Sequence, residues 1–490
     1  MVVMGTKILR PFEILSTEQV DKIDRAAMTV LMRVGVKMQH DGILKILDDA
    51  GAEVDYRQKV AKIPEQLVRE VLRKAPRSYI AYGRDPEKAC FIGEDYVHMR
   101  GGGTHHMIVD PISKTTRPAT MKDLEDGTRL LDGLENVHLM GNPGSGHWTV
   151  PQDVPVPIRD LYEWKALFEN SGKPGAGHTY SRTNARYIIK MAETIAGSAE
   201  ELRSKPMLSY ECEGTSPLVY STNSLEIMEE YASRGLPISF NPMPLTGATS
   251  PVTFAGTLAL HVAEILAGIV VAQLINSGTP VAYGCFACAF DMKTCVQSYG
   301  SANAGLLRAA EAQLARHYRL PSFSMALTTD SKICDGQGGY EMGMTMLLCA
   351  LSGCNSNGPG GEIGADQGTC YEMLVIADEI AGSVYRIIDG INVSEDALAI
   401  EIIEKVGIGG QYLAQAHTRE NYPKEHFIST LFDSYDWGTW KKHGATDLVT
   451  RAREKAQKII NTHQPEPLHG NIKTELENIL KDAEKEILRK

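Results

Sequence analysis

No stretch of this sequence gathers lysine and arginine into a patch, and the formal net charge is −11 with a pI near 5.7. That excludes a nucleic-acid partner, because gripping a phosphate backbone needs a concentrated basic footprint. The usual catalytic signatures are missing too: no HExxH, GxSxG, Walker A or GxGxxG occurs. Metalloprotease, serine-hydrolase, P-loop and nicotinamide readings lose their support. Long apolar runs are scarce. The one long enough to span a membrane, FAGTLALHVAEILAGIVVAQLIN (254–276), carries His261, Glu264 and Gln273, which favours a buried helix of a large domain and no membrane partner. The opening MVVMGTKILRPFEIL lacks a continuous apolar core and a small-residue cleavage site, so it does not read as a secretory signal and the cytoplasm is the expected compartment. Nine cysteines, an odd number in a chain this long, fit reduced thiols better than a disulfide framework.

What is present is ordinary for a soluble globular protein: 43% apolar and 23% charged residues over 490 positions. That length exceeds the usual single domain, leaving one large barrel with terminal additions or two domains. Residues 1–103 read as a helix-rich extension with short strands. Ser16 and Gln19 form a capping box ahead of Val20, Ile23, Ala27, Val30, Leu31 and Val34 at helical spacing, and extended segments follow near 59–63 and 78–82. The run Gly101-Gly102-Gly103 separates this block from the next. From 104 to 390, short apolar strands alternate with amphipathic helices, the pattern of parallel βα units. Strands are expected near 137–141, 174–179, 206–211, 237–241, 280–285, 322–327 and 354–358, and helices at 155–170, 183–196, 223–234, 251–277, 296–318 and 336–353. Their spacing predicts an α/β fold, a (β/α)8 TIM-type barrel with helix-rich N-terminal and C-terminal additions. An eighth strand falls at 105–109 or near 384–388. Residues 391–490 read as helical, broken at Pro465 and Pro467. A final stripe of Leu476, Ile479, Leu480, Ala483 and Ile487 packs on the parent domain or on another subunit.

In such a barrel the chemistry lies beyond the C-terminal strand ends. After the strand ending at Leu327 comes TTDSKICDGQGGYE, which sets Asp330, Lys332, Gln337 and Glu341 as catalytic candidates. A blander account has Asp335 capping a helix, Glu341 solvated on it and Lys332 on the surface. Other strand ends read Gly141-Asn142-Pro143, His178-Thr179-Tyr180, Glu211-Cys212-Glu213, Asn241-Pro242-Met243 and Asn357-Gly358-Pro359. Such residues serve ligand binding or simply turn the chain. Aromatics are few, at 7%, yet Tyr180, Tyr210, Phe240, Tyr283 and Phe286 fall near strand tops. They form the wall a quaternary ammonium needs, or plain core. Metal signals are weak: Cys285 and Cys288 make a single CxxC and His105-His106 are adjacent, so no metal is expected.

Three segments carry a family resemblance: GGGTHHMIVDPISKTTRPATMKDLEDGTRLLDGLENV, TDSKICDGQGGYEMGMTMLLCALSGCN and HTRENYPKEHFISTLFDSYDWGTWKKHGATDLVTRAREKA. They resemble the trimethylamine methyltransferase family across nearly the whole chain. The resemblance implies a (β/α)8 barrel and methyl transfer from a methylamine or betaine to the cobalt of a separate corrinoid protein, in one-carbon metabolism of the methanogenic or acetogenic kind. Members acting on trimethylamine carry pyrrolysine. Only standard residues occur here, which points to the non-pyrrolysine branch, similar to enzymes that demethylate glycine betaine, proline betaine, carnitine or γ-butyrobetaine. On that footing Tyr210, Phe240 and Phe286 form a cation cage, His178, Asn241 and Gln337 bond the substrate's polar end, and Tyr180 and Asn357 complete the site. No Asp-x-His-x-x-Gly cobalamin signature occurs, so no cofactor is expected to be held permanently. Cobalamin comes with a partner corrinoid protein or as a free acceptor, and a homo-oligomer is the ordinary expectation. Two other readings stand beside this one: a Schiff-base lyase or aldolase using Lys332, with Asp330 or Glu341 moving protons, and a non-catalytic betaine-binding protein. A zinc-dependent methyltransferase built on Cys285 and Cys288 is a weaker variant.

Overall fold

The computed structural model describes residues 4–102, 106–141 and 151–489. Eight parallel strands close into a ring: β1 (Tyr96–Gly101), β2 (Val137–Gly141), β3 (Gly175–Gly177), β4 (Leu208–Cys212), β5 (Ile238–Phe240), β6 (Val281–Cys285), β7 (Ser322–Ser324) and β8 (Ser356–Gly360). Each pairs with the next, and β8 returns to β1 with Asn357 opposite Met99. Each strand is followed by a helix: α1 (Met121–Gly133), α2 (Arg159–Asn170), α3 (Arg182–Ala196), α4 (Thr222–Ser233), α5 (Phe254–Ile275), α6 (Ala302–His317), α7 (Gly336–Leu351) and α8 (Tyr371–Asp389). This is the (β/α)8 barrel that the strand–helix alternation predicts.

The seven expected strands are all present, but the eighth is neither of the two segments proposed for it. Met107–Asp110 belongs to a small separate sheet with Thr115–Pro118, Glu362–Ile363 and Gly368–Thr369, and 384–388 lies inside α8; His105, like Asn142 and Pro143, falls outside the described residues. The strand that closes the ring is β1, within the stretch read as an extension. Its pattern is masked by His98 and Arg100, both buried, whose polar atoms find partners far along the chain. The expected helix at 296–318 also starts late. Val296–Ser298 pairs with Ala289–Asp291 in a hairpin, and α6 begins after its cap Ser301.

The membrane-like run is α5, a core helix. Its outer side meets helices Thr17–Arg33, Asp41–Asp49 and Glu65–Lys74, the first opened by the Ser16/Gln19 capping box, and its inner side meets β5 and β6. A helix buried on both sides is apolar all round. Its polar residues secure loops whose backbone groups would otherwise be orphaned. Glu264 accepts from Ser216 Oγ (2.9 Å) and Leu218 N (2.7 Å), His261 Nε2 lies 3.0 Å from the Pro242 carbonyl oxygen, and Gln273 Nε2 donates to the Thr279 carbonyl (2.7 Å). Hairpin Ser78–Ala81/Cys90–Gly93 plugs the N-terminal end of the barrel, where Tyr79 and Ile92 meet Leu139, Ala176 and Phe323. At the C-terminus, helix Leu448–Thr462 packs on α8 and α1, and helix Gly470–Ile487 lies on α3. Leu476, Ile479, Leu480 and Ala483 are buried there, so the final stripe packs within the chain.

Candidate active site

A cavity of about 340 Å³ opens at the C-terminal ends of β3 and β4, lined by His178, Tyr180, Tyr210, Glu211, Glu213 and, from the start of α2, Arg159. A second cleft, about 390 Å³, lies away from the strand ends between Thr115, Arg117, Tyr371 and Arg453. Its two arginines are already paired, Arg117 with Asp123 and Arg453 with Asp110 and Glu372. The strand-end cavity is therefore the candidate.

Strand alternation decides which side chains reach it. On β4, Leu208, Tyr210 and Cys212 turn toward the helices, while Ser209 and Glu211 turn into the lumen. Glu211 is fully buried and bonded to the buried guanidinium of Arg100 on β1, which itself lies 5.7 Å from the centre of the Phe323 ring. His178 bridges two carboxylates: its Nε2 is 3.5 Å from Glu211 Oε2 and 3.6 Å from Glu213 Oε1. Beside them, Tyr180 is set by its backbone, whose N–H donates to Asp160 (2.7 Å). Burial pushes the Asp160 carboxyl up to about 6, against the hydrogen bonds from Tyr180 and Asn184 that favour its charged form.

The same alternation sorts the proposed aromatic cage. Phe286 lies in the lumen cluster with Ala282, Tyr299, Phe323 and Met325. Phe240 does not. It faces outward from β5 against α5, where a Cβ on Gly268 would collide with its ring. Tyr210 edges the cavity, but its ring is stacked on Tyr231 of α4, with centroids 5.2 Å apart. Tyr283 also faces outward, edge-on to His261. The three cage candidates thus do not enclose one space, because residues 210 and 240 share the outward parity of their strands. Asn241 does face the lumen: its Nδ2 donates to Ser239 (3.2 Å), and its buried Oδ1 has no hydrogen-bond partner among the described residues. Asn357 faces outward, and its amide is used up on Ser324 Oγ and the Cys354 carbonyl, both at 2.9 Å.

Asp330, Lys332, Gln337 and Glu341 are brought together beyond β7, as a brace between loops. Glu341, buried rather than solvated, accepts from Thr329 Oγ1 (2.5 Å), Asp330 N (2.8 Å) and Gln337 Nε2 (2.9 Å). Asp330 in turn accepts from Ser298 Oγ (2.5 Å) and Tyr299 N (2.8 Å), tying the β6 hairpin to the β7 loop. Asp335 caps α7 through the Gly338 N–H. Lys332 is exposed and donates to its own loop at the Asp330 carbonyl (2.7 Å). A Schiff-base lysine sits in a desolvated pocket, so this placement does not favour the lyase reading. Cys285 and Cys288 point to opposite sides of β6, the first into the outer core and the second into the lumen cluster. Among the described residues no group of three or more His, Cys, Asp or Glu side chains is placed to hold a metal.

Sequence reasoning missed Arg100, because its strand went unrecognised. It also passed over Glu211 as a site residue, although a carboxylate inside the apolar run LSYEC was the available signal.

Comparison with known proteins identifies the family and agrees with the barrel fold. The chain is 32% identical over 471 residues to a trimethylamine methyltransferase of Desulfitobacterium hafniense (strain DSM 10664 / DCB-2), covering 96% of this chain and 94% of that one. It is 32% identical over 483 residues to a glycine betaine methyltransferase of Desulfitobacterium hafniense (strain Y51), covering 98% and 99%. A trimethylamine methyltransferase of Methanosarcina barkeri (strain Fusaro / DSM 804) is 34% identical over 479 residues, covering 96% and 95%. Among solved structures, the monomethylamine methyltransferase of Methanosarcina barkeri shares the fold at 12% identity, with a TM-score of 0.50 over 97% of this chain and 90% of that one. The trimethylamine methyltransferase family model matches residues 3–487. The protein belongs to that family and is a methyltransferase.

Proposed function

We propose that the protein takes a methyl group from a quaternary amine, glycine betaine first and proline betaine, carnitine or γ-butyrobetaine as related donors, for a corrinoid protein docked over the barrel mouth. The observation that carries this reading is the cavity at the ends of β3 and β4, acidic and edged by tyrosines, in a family member built from standard residues alone. Glu211 and Glu213 supply the negative potential that a permanent cation needs. Tyr180 supplies ring surface, with Tyr210 only edging the cavity, and a cation on an aromatic face gains about 0.5–2 kcal/mol per ring. Phe286 and Asn241 shape the lumen beside the cavity.

A quaternary nitrogen leaves as a neutral tertiary amine, so the site needs no proton donor. Its residues hold the methyl carbon in line, neutralise the cation and keep water out. When docked, the partner's corrinoid supplies the nucleophile for that carbon. Exposed apolar side chains on the rim, Val156, Val252, Met292 and Tyr340, offer the partner a seat. Asp330, Lys332, Gln337 and Glu341 act at one remove by fixing the loops of β6 and β7. The protein works in the cytoplasm, whose reducing poise suits a chain with nine free cysteines, as a homo-oligomer.

The test is a spectral assay of methyl transfer to reduced cobalamin with a panel of quaternary amines and trimethylamine, repeated with a cognate corrinoid protein. Transfer from a quaternary amine and none from trimethylamine is the expected result. Silence across the quaternary panel with the cognate partner present would overturn the reading.

A further inference from the structure

Two thiols at the barrel mouth take no part in methyl transfer. Of the nine cysteines seven are buried, Cys295 is exposed, and Cys334 is half-buried. Cys334 lies on the loop after β7, just ahead of the α7 cap Asp335, and Cys370 is the residue from which α8 begins. Their sulfur atoms are 3.2 Å apart. A disulfide bond is about 2.05 Å long, so roughly one ångström of closure joins them. The loops they sit on follow adjacent strands, and bonding them would staple the Asp330–Asp335 loop to the base of α8.

We propose that Cys334 and Cys370 are a reversible oxidation site, taking a hydroperoxide as oxidant and closing to a disulfide. Cys334 has the solvent access and attacks first: its thiolate sulfur bonds to one peroxide oxygen, the O–O bond breaks, and the leaving alkoxide or hydroxide takes up a proton. Cys334 is then a sulfenic acid. Next the Cys370 sulfur gives up its proton and attacks the Cys334 sulfur. The S–S bond forms, the S–O bond breaks, and the hydroxide departs as water with that proton. Both sulfurs are oxidised by one electron each and the peroxide is reduced by two, giving an alcohol or water plus water. A dithiol reductant reverses the step by exchange. The order of attack agrees with the local chemistry. The hydrogen bond to Cys334, together with burial, pushes the Cys370 thiol well up, so the proton stays on Cys370, and the more accessible Cys334 is the sulfur that a peroxide reaches.

The experiment treats the reduced full-length protein with a small excess of hydrogen peroxide, then counts free thiols and maps peptides by mass under non-reducing conditions. The expected result is loss of two titratable thiols, a linked pair of peptides carrying Cys334 and Cys370, and full recovery with dithiothreitol. In Cys370→Ser, dimedone should trap a sulfenic acid at Cys334, faster than any reaction at Cys295, which is exposed but has no thiol beside it. In Cys334→Ser, Cys370 should stay unmodified. Circular dichroism checks that both variants are folded. A wild-type protein that yields no 334–370 peptide, or whose Cys334 is over-oxidised as fast as in Cys370→Ser, would overturn the proposal. None of these readouts depends on methyl transfer.

Discussion

At the scale of single residues, Phe286 and Phe240 separate binding from packing. Phe240 fills the gap between β5 and Gly268 of α5, so Phe240→Ala should cost about 3–5 kcal/mol of stability by cavity formation and leave the Michaelis constant for the amine unchanged. Phe286 faces the lumen beside the cavity, and Phe286→Ala should raise that constant about tenfold by letting water in next to the bound amine. Denaturant titration alongside KM for both variants decides; a KM rise in Phe240→Ala alone would reverse the assignment. Glu211 allows a second separation. Glu211→Gln leaves the Arg100 guanidinium buried without its counter-charge, so stability should fall by about 3 kcal/mol. The double variant Arg100→Met/Glu211→Gln should regain most of that stability yet still bind the cationic substrate poorly. Recovery of both properties together would show that the carboxylate serves only the fold.

Among the elements, what the sequence discloses follows from burial. β2, β4, β5 and β6 announce themselves as short apolar runs because parallel strands are covered on both sides by the barrel core and its helices. β1 was unreadable because His98 and Arg100 break its run, and their compensating partners, Phe91 and Glu211, are visible only once the chain is closed. The polar cluster after β7 was found, but its roles were not: period and turn signals place a carboxylate on a loop without saying whether it faces a cavity or a neighbouring loop. Asp330 shows the difference. Its carboxylate holds Ser298 Oγ and the backbone N–H of Tyr299, so Asp330→Ala should unprotect the amides of Tyr299 and Gly300 in hydrogen exchange while the interior of α7 stays protected. Asp335→Ala should do the opposite, fraying the first turn of α7 at a cost of about 1 kcal/mol. Unchanged exchange at Tyr299 in the first variant would mean that the hairpin stands without the brace.

For the whole molecule, the telling variable is pH. Burial pushes His98 down to about 4 from its ordinary 6.5, and His138, whose Nδ1 is 3.3 Å from His98 Nδ1, lies well below its ordinary value for the same reason, with the neighbouring His98 adding to it. Both are neutral in the fold, and His98 Nε2 lies 2.8 Å from the Phe91 carbonyl, a contact that needs the proton on that nitrogen. At these two histidines the unfolded chain therefore binds more protons than the folded one between about pH 6.5 and 4, outweighing the opposing proton of Asp160, whose carboxyl is raised to about 6. The His98 contribution is complete above 6.5 and is lost as pH falls toward 4. A shift of that size is worth up to about 3 kcal/mol. Further down, Asp132 adds a second loss. Desolvation alone would raise its carboxyl, but His463, Lys173 and Lys88 outweigh it and hold it at about 2, so its contribution fades between about pH 3.8 and 2. Urea unfolding followed from pH 8 to 4.5 should give a plateau and then a decline beginning near pH 6.5. His98→Gln keeps a donor toward Phe91 without titrating, so it should be less steep through that window by up to about 1.4 kcal/mol per pH unit, the slope of one proton, whatever its stability at pH 8. An equal slope in the variant would locate the acid sensitivity elsewhere and leave the two histidines as packing residues.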